Sequence, residues 1–99
     1  MGIQQFTITQ DAEGIFRLTG ELTILDIVYL KEFLDTTLGR VNKIFLDMTD
    51  VTYADTASLQ LLIAFRRNLK PEVEWQVPGL SPDLDMIVTV SGLKTLLVE

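Results

Sequence analysis

The sequence predicts an α/β domain: a β-hairpin followed by alternating α and β segments, with a mostly parallel central sheet and helices packed on it. Three observations lead there. Two alternating apolar–polar runs, residues 6–9 and 15–19, flank a short polar connection ending in Gly14, which is the pattern of a hairpin. Beyond them, helical and strand spacings of apolar residues take turns, giving the order β-β-α-β-α-β-α-β. The chain has 99 residues, 47% of them hydrophobic and 22% charged, enough for one core and one domain, residues 1–99, and too apolar for a disordered chain. Strands separated by helices need right-handed crossovers, so that part of the sheet is parallel.

Each element has its own signal. Gly20 closes the second strand. Thr23 suits a helix cap, with Asp26 three residues on in a capping-box arrangement. Ile27, Leu30, Phe33 or Leu34, and Leu38 follow at helical spacing, and Gly39 suits a left-handed cap, so the first helix is predicted over 24–38. Residues 43–48 contain Ile44-Phe45-Leu46 in a row, which predicts a central strand covered on both faces. Leu59, Leu62, Ile63 and Phe65 or Arg66 set the phase of a second helix from near 57 to 68, stopped by Pro71. Residues 74–77 read as a strand and Pro78-Gly79 as a turn. Ser81-Pro82-Asp83 supplies a cap, a proline at the first helical position and an acid in the first turn. Leu84, Ile87 and Val88 form the inner face of that third helix, Gly92 ends it, and residues 95–98 fit a last short strand.

Composition removes many functions. There is no cysteine and no histidine, hence no disulfide scaffold, no Cys or His metal site, no thiol nucleophile and no His-based catalysis. The expectation is a non-enzymatic protein with no cofactor and no metal. A net charge of −6 repels phosphate backbones and anionic membranes, and Arg66-Arg67 is the only adjacent basic pair. Nucleic acid is therefore not an expected partner. The longest apolar run, residues 61–65, is too short to span a bilayer, and the first residues lack the basic flank of a signal peptide. A cytoplasmic protein without direct membrane insertion is expected.

In open α/β sheets, ligands and regulators gather where strands end and helices begin. The stretch 47–58, taken as the loop between the central strand and the second helix, holds three acids and four Ser or Thr hydroxyls. Asp55-Thr56-Ala57-Ser58 stands at a helix N-terminus. One reading is capping, with Asp55 accepting from the amides near Ala57 or Ser58. The other makes Thr56 a phosphoacceptor, since a helix N-terminus stabilises a phosphate and Asp50 and Asp55 would join it in a concentrated negative patch. Asp47 is read either as a turn acid or, as a remote alternative, as the phosphorylated aspartate of a receiver, although Gln10-Asp11 and Lys94 fit that pattern poorly. Tyr53 is expected to pack across the loop, Trp75 to lie in the core or at a sheet edge, and Glu21 to be solvated.

The stretch from Leu46-Asp47-Met48-Thr49 through Tyr53-Ala54-Asp55-Thr56-Ala57-Ser58-Leu59 resembles the central signature of the STAS family, the anti-sigma factor antagonist fold. Leu18-Thr19-Gly20-Glu21-Leu22 is similar to the family's Leu-x-Gly-Glu-Leu, and Ser81-Pro82 and Val90-Ser91-Gly92-Leu93 continue the likeness over nearly the whole chain. The resemblance implies a bacterial signalling protein of transcription regulation, whose residue after the signature aspartate is phosphorylated; by position that is Thr56. It implies an anti-sigma factor serine/threonine kinase and a cognate phosphatase as partners, meeting a surface made of Asp50, Tyr53, Asp55, Thr56, Ala57 and Ser58. Thr56 replaces the commoner Ser, Ala57 a frequent Ser, and Ser58 the usual Gly, where a glycine admits close approach. Similar stand-alone domains with Asp-Thr accompany phospholipid ABC transporters, binding the ATPase subunit, or chemotaxis and two-component proteins; this is the alternative within the same fold.

Overall fold

The computed structural model describes residues 5–98. Strands β1 (Phe6–Gln10) and β2 (Phe16–Leu22) form the expected antiparallel hairpin, with Phe6 opposite Gly20 and Gln10 opposite Phe16. Asp11 shapes its turn, accepting from the amides of Glu13 (2.8 Å) and Ile15 (3.0 Å). Strands β3 (Lys43–Ala54) and β4 (Glu74–Leu80) then add in parallel, giving the spatial order β1-β2-β3-β4. The helices are α1 (Ile27–Thr36), α2 (Thr56–Arg67), α3 (Pro82–Val90) and α4 (Lys94–Val98), with 3₁₀ turns at Ile24–Asp26 and Leu38–Arg40.

The core is continuous. Leu18, Leu22, Ile44, Leu46, Met48 and Val51 come from the sheet, and Leu30, Leu34, Leu59, Leu62, Leu84 and Val88 from the helices, all fully or almost fully buried. The inner residues expected of α1, α2 and α3 are the ones that face it. The central strand is covered on one face only, which corrects the expectation of two. Ile44, Leu46 and Met48 point inward, while Lys43, Phe45, Asp47 and Thr49 alternate with them on the open side, exposed or half-buried. Three apolar residues in a row gave the wrong impression because Phe45 lies on the open face, apart from the core.

Four further expectations are corrected. The first helix is a 3₁₀ turn followed by α1; Thr23 does cap it, accepting from the Leu25 amide, but Asp26 accepts from the backbone of Gln5 (2.8 Å) and forms no capping box. Gly39 lies inside the second 3₁₀ turn and has no positive φ. Pro78-Gly79 is no turn but part of β4, where Val77 and Pro78 stand opposite the single residue Leu46 in a bulge. A proline is tolerated there because β4 is an edge strand and needs no amide at that point. A Cβ at Gly79 would meet the Thr49 hydroxyl and press on the Asp47 carboxylate, so a larger residue there would have to displace them. Finally, the predicted last strand is helix α4. A short apolar run fits either period; here Leu97 is buried, and its carbonyl accepts from Trp75 Nε1 at 2.8 Å. Trp75 thus sits on the edge strand, half-buried beside Phe65 and beneath Arg66.

Candidate functional site

The stretch read as a loop is mostly strand. β3 continues to Ala54, paired with β2 up to Leu22 opposite Ala54, with irregularities opposite Leu18 and between Gly20 and Glu21. Its polar residues are those of the open face and the bulges, which is why composition mimicked a loop. Gly20 makes the register possible. Its φ is +103°, and a Cβ there would strike the Gln5 carbonyl, so the glycine of Leu18-Thr19-Gly20-Glu21-Leu22 has a steric reason.

One residue separates β3 from α2. Asp55 is the N-cap, with extended backbone, and Oδ1 accepts from the Ser58 amide at 2.9 Å. Its second oxygen accepts from the Ile24 amide at 2.7 Å, and its own amide donates to the Leu22 carbonyl at 2.9 Å. A single carboxylate therefore ties the start of α2 to the 3₁₀ turn that precedes α1. Burial pushes the Asp55 carboxyl up, but the Ser58 amide and hydroxyl and the Ile24 amide outweigh it, holding the pKa below the ordinary carboxylate value. The Ser58 hydroxyl itself makes no hydrogen bond among the described residues.

Thr56 is the first residue of α2 and is exposed, as is Ala57. Among the described residues nothing hydrogen-bonds the Thr56 hydroxyl. Ser58, by contrast, is 0% exposed, so it packs under the helix and not on the surface where the expectation placed it. Tyr53 does not pack across a loop. It stands opposite Glu21 and is 44% exposed, available for contact. Asp50 pairs in register with Thr19, four positions before the end of β3, about 13 Å back along the strand. Asp50 is thus set back from Asp55 along β3. The sequence reading missed the role of Ile24 and its neighbours; the signal was four apolar residues among 24–28, more than one helix face can bury.

Asp47 sits in mid-strand, not at a strand end. Oδ1 accepts from the hydroxyl and the amide of Thr49, the latter at 3.0 Å, and Oδ2 from Arg17 Nε at 3.2 Å. The Thr49 hydroxyl is the largest cause holding its pKa low, helped by the Thr49 amide and Arg17 against burial. Lys94 ion-pairs with Asp85 at 2.7 Å. Among the described residues no three acidic groups cluster as a metal site. The elements of a receiver are not assembled, and Asp47 is a structural acid.

Comparison with known proteins agrees with this architecture. The family model described as "Mlab, STAS domain" matches residues 7–99. The chain belongs to the STAS family. A crystal structure of an anti-sigma factor antagonist from Mycobacterium paratuberculosis superposes on this STAS domain with a TM-score of 0.73. It is 15% identical, with 91% of this chain and 79% of that chain covered, a likeness that carries the fold. No curated protein matches the sequence. Among the described residues of the STAS domain no helix is long and apolar enough to cross a membrane.

Proposed function

We propose that this STAS domain is a cytoplasmic protein-interaction switch without enzymatic activity, of the anti-sigma factor antagonist kind, controlled by phosphorylation of Thr56. Unphosphorylated, it docks on a kinase-type anti-sigma factor through Tyr53, Asp55, Thr56, Ala57 and the exposed side of α2, and docking frees the sigma factor. The kinase then transfers the γ-phosphoryl group of ATP to the Thr56 oxygen, releasing ADP and the hydroxyl proton. A phosphatase resets the domain by hydrolysis.

The observation that carries this reading is the division of labour at the helix start. Asp55 does the capping, which leaves the exposed Thr56 hydroxyl without a structural task. The amides of the first turn that have no intrahelical partner suit a phosphate there. Its charge of roughly −1.5 to −2 would stand next to an ionised Asp55 in a surface that docking must desolvate, which opposes the complex. A second reading, favoured by the pair Asp55-Thr56 in place of Asp-Ser, makes the partner the ATPase subunit of a phospholipid transporter, met through the same residues.

Labelling tests the switch. Incubation with radioactive ATP and an extract of the source cells should give acid-stable label on the wild type and none on Thr56→Ala. Equal labelling of both chains would remove Thr56 from the mechanism. Binding without label, to an ATPase subunit, would favour the second reading.

A further inference from the structure

Beside Asp55 the STAS domain shows an apolar surface that the described residues leave exposed. Ile24, Leu25 and Val28 are 61%, 76% and 68% exposed. Ile24 and Leu25 are neighbours on the 3₁₀ turn, Val28 follows about one turn later in the first turn of α1, and the Ile24 amide is bonded to the Asp55 carboxylate. The surface is therefore continuous with the end of the molecule that carries Thr56.

The charges around it have one sign. Residues 18–30 and 44–65 contain no lysine or arginine, yet they contain Glu21, Asp26 and Asp55. These two segments supply the ends of β2 and β3 and the starts of α1 and α2. Lys31, the next cation along α1, is held by Asp35 at 2.7 Å.

We propose that Ile24, Leu25 and Val28 are the apolar anchor of the docking surface, and that their occupant is a partner protein with an apolar pocket rimmed by lysine or arginine. This rests on the docking reading above and names the chemistry of the partner. Three apolar side chains exposed together, with polar residues beside them, mark an interaction site, and the acids select a cationic rim. A second copy of the chain is disfavoured, because a two-fold interface would set this acidic surface against itself. An anionic membrane is disfavoured for the same reason. The phosphate on Thr56 acts beside the anchor, where it must lose water, and not on the rim.

Photo-crosslinking tests the assignment. Benzoylphenylalanine is placed singly at Leu25, at Ala57 and at Gln76 on the open sheet face, in the full chain expressed in its own cells. The same protein should cross-link from Leu25 and Ala57 and not from Gln76, through an apolar segment flanked by Lys or Arg. That protein, purified, should bind Leu25→Ser about tenfold or more weakly, and wild type severalfold more weakly when NaCl rises from about 50 to about 500 mM. Circular dichroism checks that Leu25→Ser, a change at an exposed position, is folded. A protein captured from Ala57 but not from Leu25 would leave the docking reading standing and overturn the anchor. No protein from either position would overturn both. A Leu25 cross-link to a second copy, or flotation with phosphatidylglycerol vesicles that Leu25→Ser abolishes, would give the surface to another occupant and overturn the proposal.

Discussion

Asp55 joins two helix starts through one carboxylate, so its removal loosens both. Asp55→Ala should cost about 1–2 kcal/mol in urea unfolding, at the upper end for a lost cap because the Ile24 amide also loses its partner. Thr56→Ala should change stability by no more than about 0.5 kcal/mol, since Thr56 is the first helical residue and its hydroxyl bonds nothing in the described structure. A loss near 2 kcal/mol would make the hydroxyl structural after all. The lowered pKa of Asp55 fixes the sign of a pH effect. A carboxyl whose folded pKa lies below its unfolded value of about 3.9 stabilises fully above that value and loses the contribution as pH falls through the folded pKa. Wild type should therefore lose stability on acidification below about pH 4 more steeply than Asp55→Asn; parallel acid curves would mean the carboxylate charge plays no part. Asp47, also lowered by its Thr49 and Arg17 partners, works in the same direction in both chains and cancels in the comparison.

Elements show how far sequence reading reaches. The inward residues of α1, α2 and α3 were legible because each helix has a single covered side and a regular apolar period. Leu62 is fully buried on α2, and Leu62→Ala should lower unfolding stability by about 2–5 kcal/mol; a loss below about 1 kcal/mol would contradict the packing described. The hairpin was legible from alternation, and the start of α3 from Ser81, whose hydroxyl accepts from the Leu84 amide (2.9 Å) and donates to the Val51 carbonyl. Residues 47–54 and 94–98 misled for different reasons. The long β3 carries bulges and one open face, so its polar side chains imitate a loop, while the five residues of α4 are too few to separate two periods. Of the site, Asp55 and Thr56 were visible as a cap followed by a hydroxyl. The burial of Ser58 depends on helix phase, and the Ile24–Asp55 bond joins residues 31 apart in sequence, which no local pattern reveals. Gly20→Ala tests the close approach of Gln5 to β2 nearby: it should cost about 1–3 kcal/mol from the positive φ and the Gln5 carbonyl.

At the scale of the molecule, a sheet covered on one side places the ends of β2 and β3 and the starts of α1 and α2 together at one end, and the free hydroxyl, its ionised neighbour and the exposed apolar turn all belong to that end. The core is continuous and apolar, and among the described residues nothing clusters to hold a metal; EDTA should leave the thermal midpoint unchanged, and a fall of several degrees would reveal a structural ion. The central claim is that charge at Thr56 decides whether this end is bound. The direct measurement is the affinity of wild type, Thr56→Ala and Thr56→Glu for the cross-linked partner at one salt concentration. The account predicts that Thr56→Ala binds like wild type and is no longer released by kinase and ATP. Thr56→Glu should fold, since an acid suits a helix N-terminus, and bind far more weakly, with some residual affinity because a carboxylate carries about half the charge of a phosphate. Equal affinities for all three chains would contradict it.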